Sequence, residues 1–374
     1  MSESRISLRT RLKRAALAGA LLSTALLPLA GASQVGAQED FYTGFEPPVI
    51  EQPEPQAVDT SAYAKPEGEE LTIAYADASL SNSWRVMAKA ELEYGISQIP
   101  NAKLVYTNAN DSTPKQIADM DDLIAQRVDA IILAATDVNA LCPSIDKALA
   151  ANIPVILLER MVNCPNYTVW VATDAEQVAR YHMEYIAWRL GGEGKIAIVS
   201  GVPGAGHSVE MEAVYADVLK NYPGIEVVAT EYANYDPAQA RQVTDALLVA
   251  HPDLDAVASI SGNITIGVFE AIDSAGLTDQ MKAWTGDDAN GWMKIHADND
   301  LPAMTVPLPP LAGRYAAQQA YEILQGNPVE QVFQTPKWSG PMDFSENIDN
   351  YANAERPDEW WYTDMPCEFD PFCE

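Results

Sequence analysis

VDAIILAATDVNALCPSIDKALAANIPVILLER, residues 128–160, decides the fold. It holds two short apolar runs, DAIILAA (129–135) and PVILLE (154–159), with a helix-length stretch between them. Runs this short and this uniformly apolar read as strands buried on both faces, the habit of parallel sheets. Working outward, the same unit recurs. LTIAYAD, KLVYT, TVWVAT, KIAIVSG, IEVVATE, AVASIS, MKAWTG and AMTVPL are further strand candidates. PKQIADMDDLIAQR, AEQVARYHMEYIAWRL and PAQARQVTDALLVAH are amphipathic helices between them. Regular alternation from Leu71 onward predicts an α/β protein with doubly wound parallel sheets. About 300 residues of it exceed one ordinary lobe, so two lobes are expected.

Ligands of open α/β sheets sit beyond the carboxyl ends of the strands. Those positions hold SLSNSWR (79–85), NANDS (108–112), ERMVN (159–163), GVPGAGHS (201–208), SGNIT (261–265) and GDDANGW (286–292). Carboxylates, amides, guanidinium donors and flat indoles suit a ligand rich in hydroxyl groups. Asn82, Asp111 and His207 are candidates on this ground. GVPGAGHS also has the spacing of a phosphate-cradling loop, but His207 stands where that loop needs Lys. The glycines instead permit a tight strand-to-helix turn whose N–H groups face the cleft. His207 could equally be a helix-start residue bonded to nearby backbone.

Arg5, Arg9, Arg11, Lys13 and Arg14 precede AALAGALLSTALLPLAG, and Val35-Gly36-Ala37 offers a cleavage site before Gln38. This is the shape of a secretory signal peptide. The chain carries a net charge of −30; the leader holds five Lys/Arg and one Glu, so its removal leaves −34. Such a charge opposes nucleic acid and anionic lipid. Four Cys in an exported chain suggest disulfides, and Cys142–Cys164 with Cys367–Cys373 closes the two shortest loops of three possible pairings. No metal-ligand spacing is present, and no G-x-S-x-G or H-E-x-x-H motif points to an enzyme. No cofactor is expected.

Several motifs, in this order, resemble the type I periplasmic binding proteins of bacterial sugar ABC transporters, in the ribose- and galactofuranose-binding branch. They are SNSWR, RVDAIILAATD, ANIPVILLER, GNITIGVFEAIDSAGL and TGDDANG, and the similarity spans roughly residues 69–330. The resemblance implies a two-lobed clamp joined by a hinge. It implies that Trp84 and Arg85 stack on and bond the ligand, and that Arg160 adds a donor fork. Asp288 would accept hydroxyl protons at the hinge, with Ser261, Asn263 and Tyr235 contributing from the far lobe. Bland readings stand beside these: Trp84 as core, Arg160 paired with Glu159, Asn263 as a helix cap, Tyr235 as a helix staple. The chain departs from the family pattern at Glu159, Ser261-Gly262, Val209, Met211 and Ala289.

The expected organisation is a signal peptide (1–37), an acidic Pro-rich linker without a core (38–68), and an N-terminal lobe (69–173 plus 289–334). A C-terminal lobe (174–288) and an acidic aromatic strap (335–374) complete it. Crossovers between the lobes are expected near residues 173, 288 and 335. The strap's Trp360, Trp361 and Tyr362 read as anchors rather than ligand contacts. The function implied is that of an exported, monomeric binding protein in the periplasm, delivering a monosaccharide or polyol to a membrane permease with its ATPase. The rivals are a sensor that presents its closed form to a receptor kinase, and a binder of a nucleoside, amine or cyclitol.

Overall fold

A computed structural model describes residues 42–46, 48, 56–336 and 341–373, without the side chains of 341–343. The leader expected at 1–37 lies outside the described residues. Among the described residues, no helix is long and apolar enough to cross a membrane.

The first lobe opens with β1 (Ala57–Val58) and then alternates. The order is β2 (Leu71–Asp77), α1 (Ser83–Ser97), β3 (Ala102–Asn108), α2 (Thr113–Gln126) and β4 (Ala130–Leu133), then α3 (Cys142–Ala150), β5 (Val155–Leu158) and β6 (Val169–Ala172). The chain then crosses to the second lobe. That lobe runs α4 (Ala175–Arg189), β7 (Glu193–Ser200), α5 (Gly206–Leu219), β8 (Gly224–Tyr232), α6 (Pro237–Ala250) and β9 (Ala256–Ser259). It ends with α7 (Gly262–Ser274), β10 (Trp284–Asp287), α8 (Asn290–Asn299) and β11 (Ala303–Val306). A return to the first lobe brings α9 (Ala312–Leu324), β12 (Val329–Glu330) and β13 (Val332–Gln334); α10 (Pro341–Glu346) then packs on β11.

The first-lobe sheet has the order β13-β6-β5-β4-β2-β3, all parallel. The second has β8-β7-β9, and a parallel bridge from Ala256 to Ala283 joins it to the parallel pair β10-β11. Side chains of β4 and β5 are wholly buried, as their unbroken apolar runs require. Helix starts follow local chemistry. Asn82, Ser112 and Asp236 each accept an N–H from the residue three positions on, and Pro stands in the first turn of α2 and α6. Disulfides join Cys142 to Cys164 and Cys367 to Cys373.

One expected boundary moves, and two segments differ in character from expectation. The break at 288/289 lies instead beyond Val306, because β11 pairs with β10 and α8 packs on α7. The second crossover is therefore the stretch around Leu308. The described part of 38–68 is not a coreless linker: Tyr42 and Phe45 are buried against Tyr185, Phe45 also meets Trp188, and β1 pairs antiparallel with β12. Nor is the tail a surface strap alone, since Trp361 is fully buried and reaches the cleft.

Candidate functional site

The carboxyl ends of the strands in both lobes face one cavity, drawn in to about 30 Å³ of free space in this conformation. The first lobe contributes Asn82, Trp84 and Arg85 from the start of α1, with Glu159 and Arg160 after β5. The second contributes His207, Tyr235, Ser261, Asn263 and Asp287. Leu308 of the crossover and Trp361 of the tail close the ring.

Glu159 organises the first-lobe wall. Arg85 Nη2 bonds its carboxylate at 2.8 Å and Arg160 Nε lies 3.8 Å away. Its backbone is held at φ 60°, a left-handed conformation that costs a non-glycine residue about 1–3 kcal/mol and clusters at functional sites. The two arginines are biased in opposite directions. Burial works against the charge of Arg85, but Glu159, Tyr75 and Asp77 together outweigh it and raise its pKa. Burial and the neighbouring charge of Arg85 lower the pKa of Arg160, with Glu159 only partly offsetting them. Arg160 Nη1 donates to the Ala135 carbonyl at 3.1 Å. Arg85 Nη1 is buried with no protein acceptor.

Trp84 Nε1 donates to the Leu308 carbonyl at 2.9 Å, while Leu308 N–H donates to Asp288 at 2.7 Å. The crossover strand is thereby bonded to both lobes. Asn82 lines the cavity and also caps α1 by accepting the Arg85 N–H.

On the far side, His207 Nδ1 stands 3.4 Å from Glu159 Oε1 across the cleft. Burial lowers its pKa, Glu159 raises it, and the arginines lower it again, so the ring is neutral at pH 7. Tyr235 hydroxyl meets Ser208 Oγ at 2.9 Å. Its ring lies so close over Gly201 that any Cβ there would overlap it. Asn263 Nδ2 donates to Ser83 Oγ at 3.2 Å. Ser261, not Asn263, occupies the N-cap of α7. Val138 N–H donates to the Gly204 carbonyl at 3.2 Å, so the glycine loop itself touches the opposite lobe. The two lobes are closed on each other.

Two expected site residues lie elsewhere. Asp111 is exposed in the turn after β3 and lines no part of the cavity. β3 is the edge strand of its sheet, and Asp111 acts on the site only as a charge that favours the charged form of Arg160. Asp288 is buried but bonded to Leu308, while its neighbour Asp287 lines the cavity and accepts the Gly262 N–H. Consecutive residues leaving a strand face opposite ways, and the register favours Asp287. Sequence reasoning also passed over Glu159, Leu308 and Trp361 as lining residues. Glu159 had a signal in its place at a strand end beside Arg160; the other two had none.

The two aspartates predict a pH effect on stability. Burial pushes Asp288 up to about 7, and burial together with the charge of Asp288 pushes Asp287 well above the carboxylate range. A carboxyl raised in the folded state contributes stability at acid pH that is lost as pH climbs from about 4 to about 7. Asp288→Asn keeps an acceptor for Leu308 N–H and removes the charge. Relative to the wild type, it should gain stability across that window, by at most about 4 kcal/mol above pH 7. Thermal melts from pH 4 to 8 check this; parallel profiles for the two proteins would contradict it.

Residues 73–328 match the periplasmic binding protein domain family. The ribose import binding protein of Bacillus subtilis is 29% identical over 279 residues, 73% of this chain and 90% of that protein. The galactofuranose-binding protein of Escherichia coli is 23% identical, over 69% of this chain and 82% of its own length. Among solved structures, an ABC transporter solute binding protein from Bacillus halodurans with bound myo-inositol superimposes with a TM-score of 0.69 at 21% identity. That match spans 77% of this chain and 99% of the other. With that fold and the match over residues 73–328 in view, this chain belongs to the periplasmic binding protein domain family.

Proposed function

We propose that the protein captures one monosaccharide or related polyol between its lobes and presents the closed form to an ABC permease. The observation that carries this is the donor set. Arg85 Nη1 is buried in the lining without a protein acceptor, beside Arg160, whose guanidinium makes one recorded bond to backbone. An unpaired buried donor costs about 1–3 kcal/mol, and a ligand hydroxyl accepting from it removes that cost. Glu159 and Asp287 offer acceptors, and Trp84 and Trp361 offer apolar faces. The relatives named for ribose and galactofuranose support the ligand class. Export by the N-terminal leader and delivery in the periplasm belong to the same reading, and both disulfides suit that compartment. The residues that would contact ligand are Asn82, Trp84, Arg85, Glu159, Arg160, His207, Tyr235, Ser261, Asn263 and Asp287.

The test is a thermal-shift screen against D-ribose, D-allose, xylitol and myo-inositol, with nucleosides and amino acids as counter-probes. Ligand at one hundred times its Kd adds about 2.7 kcal/mol to the folded state. A rise in Tm with a sugar or polyol is expected. A rise confined to nucleosides or amino acids would replace the ligand class and keep the clamp.

A further inference from the structure

We propose that the C-terminal strap is a working part of the clamp: Trp361 forms one wall of the ligand site and the strap ties the two lobes together across the cleft. This rests on the carbohydrate reading for the ligand and on geometry alone for the tie.

The strap lies beyond the stretch matched by the family, which ends at residue 328. Its first half is seated on the second lobe. Ser345 bonds both backbone groups of Thr305. Asn290 binds the carbonyls of Asn353, Arg356 and Pro357 at 2.9–3.1 Å and accepts the Asn353 N–H. Its second half is seated on the first lobe. Thr363 donates to the fully buried Glu91, Arg314 bridges Glu91 and Asp364 at 2.8 and 2.7 Å, and Phe369 packs on Tyr94 with ring centres 5.1 Å apart.

Trp361 stands between these two anchorages. It is fully buried, lines the cavity, and donates from Nε1 to Ser83 Oγ at 2.8 Å. The same Ser83 oxygen takes Asn263 Nδ2 from the second lobe. One hydroxyl at the start of α1 therefore joins the first lobe, the second lobe and the strap. Opening the cleft parts that node.

The site thus has two indoles, Trp84 and Trp361, and both have spent their N–H on protein acceptors. What they offer a ligand is flat apolar surface, not a hydrogen bond. Flat walls suit the C–H face of a compact ring, so the strap favours a cyclic sugar or cyclitol over an open-chain polyol.

Calorimetry with myo-inositol, D-allose, D-ribose and xylitol, paired with small-angle scattering of the ligand-free protein, tests both parts. The proteins are the wild type, Trp361→Ala, Trp361→Phe and Ser83→Ala. The wild type should prefer its best cyclic probe over xylitol, and Trp361→Ala should lose about tenfold or more in affinity for that probe. Trp361→Phe keeps a flat wall and should stay within about threefold. Without ligand, Trp361→Ala and Ser83→Ala should raise the radius of gyration above the wild-type value, as a loosened hinge does. Ser83→Ala leaves the indole in place, so it tests the tie even if Trp361→Ala folds poorly. Equal affinity of Trp361→Ala and wild type for the cyclic probe would make Trp361 an anchor only. An unchanged radius in both variants would overturn the tie. If no probe binds the wild type, the carbohydrate reading fails by itself and the scattering still decides the strap.

Discussion

Arg160→Ala lowers affinity for the captured ligand by about two orders of magnitude while the ligand-free protein melts near the wild-type temperature. The first half follows from the donors of Arg160, which line the cavity and are mostly unspent on protein. Hydrogen bonds from a charged group contribute about 1.5–3 kcal/mol each, and a guanidinium can make two to one ligand. The second half follows from electrostatics. The fold disfavours the charge of Arg160, through burial and through Arg85 beside it. Removing that charge relieves a repulsion. Arg85→Ala differs in the second half: it should lose ligand affinity too, through the Nη1 donor in the lining, and ligand-free stability with it. It strips the 2.8 Å partner from Glu159, and breaking a buried pair costs about 3–5 kcal/mol. Calorimetry and melting curves on the two variants separate an arginine that only binds ligand from one that also holds the fold. A large loss of ligand-free stability in Arg160→Ala, with affinity retained, would reverse the assignment.

The second large effect belongs to Gly206. A Cβ there would lie 2.7 Å from both Met161 N and Met161 O, which are backbone atoms of the opposite lobe. Nothing flexible can give way, so Gly206→Val holds the lobes apart. Gly206 has no left-handed φ to strain, and the three atoms nearest its Cβ position all belong to the first lobe. Overpacking costs about 1–3 kcal/mol, charged here to the closed state only. Apparent affinity falls with the population able to close, so a loss of about ten- to a hundredfold is expected at unchanged Tm without ligand. Full affinity in Gly206→Val would mean that the ligand-bound lobes do not meet at this point.

GVPGAGHS thus has a physical role that its resemblance to a phosphate loop conceals. Gly201 makes room for Tyr235, the Gly204 carbonyl accepts a bond from Val138, and Gly206 lets two backbones touch. The strands were legible because burial on both faces leaves unbroken apolar runs, and the strand-end rule then pointed to Trp84, Arg85, Arg160 and His207, while Tyr235 came only with the family resemblance. Parity at the end of β10 was not legible. Asp287 and Asp288 are the same residue type, and one position of register decides which meets the cavity. Asp111 obeyed the strand-end rule but sits on an outer strand, and strand order is not written in local pattern. Trp361 lay beyond any strand, so no positional rule reached it. The boundary near 288 misled for a related reason: β11 reads as one more short buried strand, and only its pairing shows which sheet owns it.

The distribution of the first-lobe sheet along the chain sets an order of assembly. Residues 175–306 are one continuous run that contains every strand of the second sheet. The first sheet, though begun at Leu71, takes its edge strand from Val332–Gln334, and α9 packs on its β4, β5 and β6. Its completion closes a loop of more than one hundred residues, and such distant pairings form late because their entropy must be lost before contacts reward it. The lobe synthesised first is therefore the lobe finished last, its sheet lacking α9 and its edge strand until those late segments have emerged.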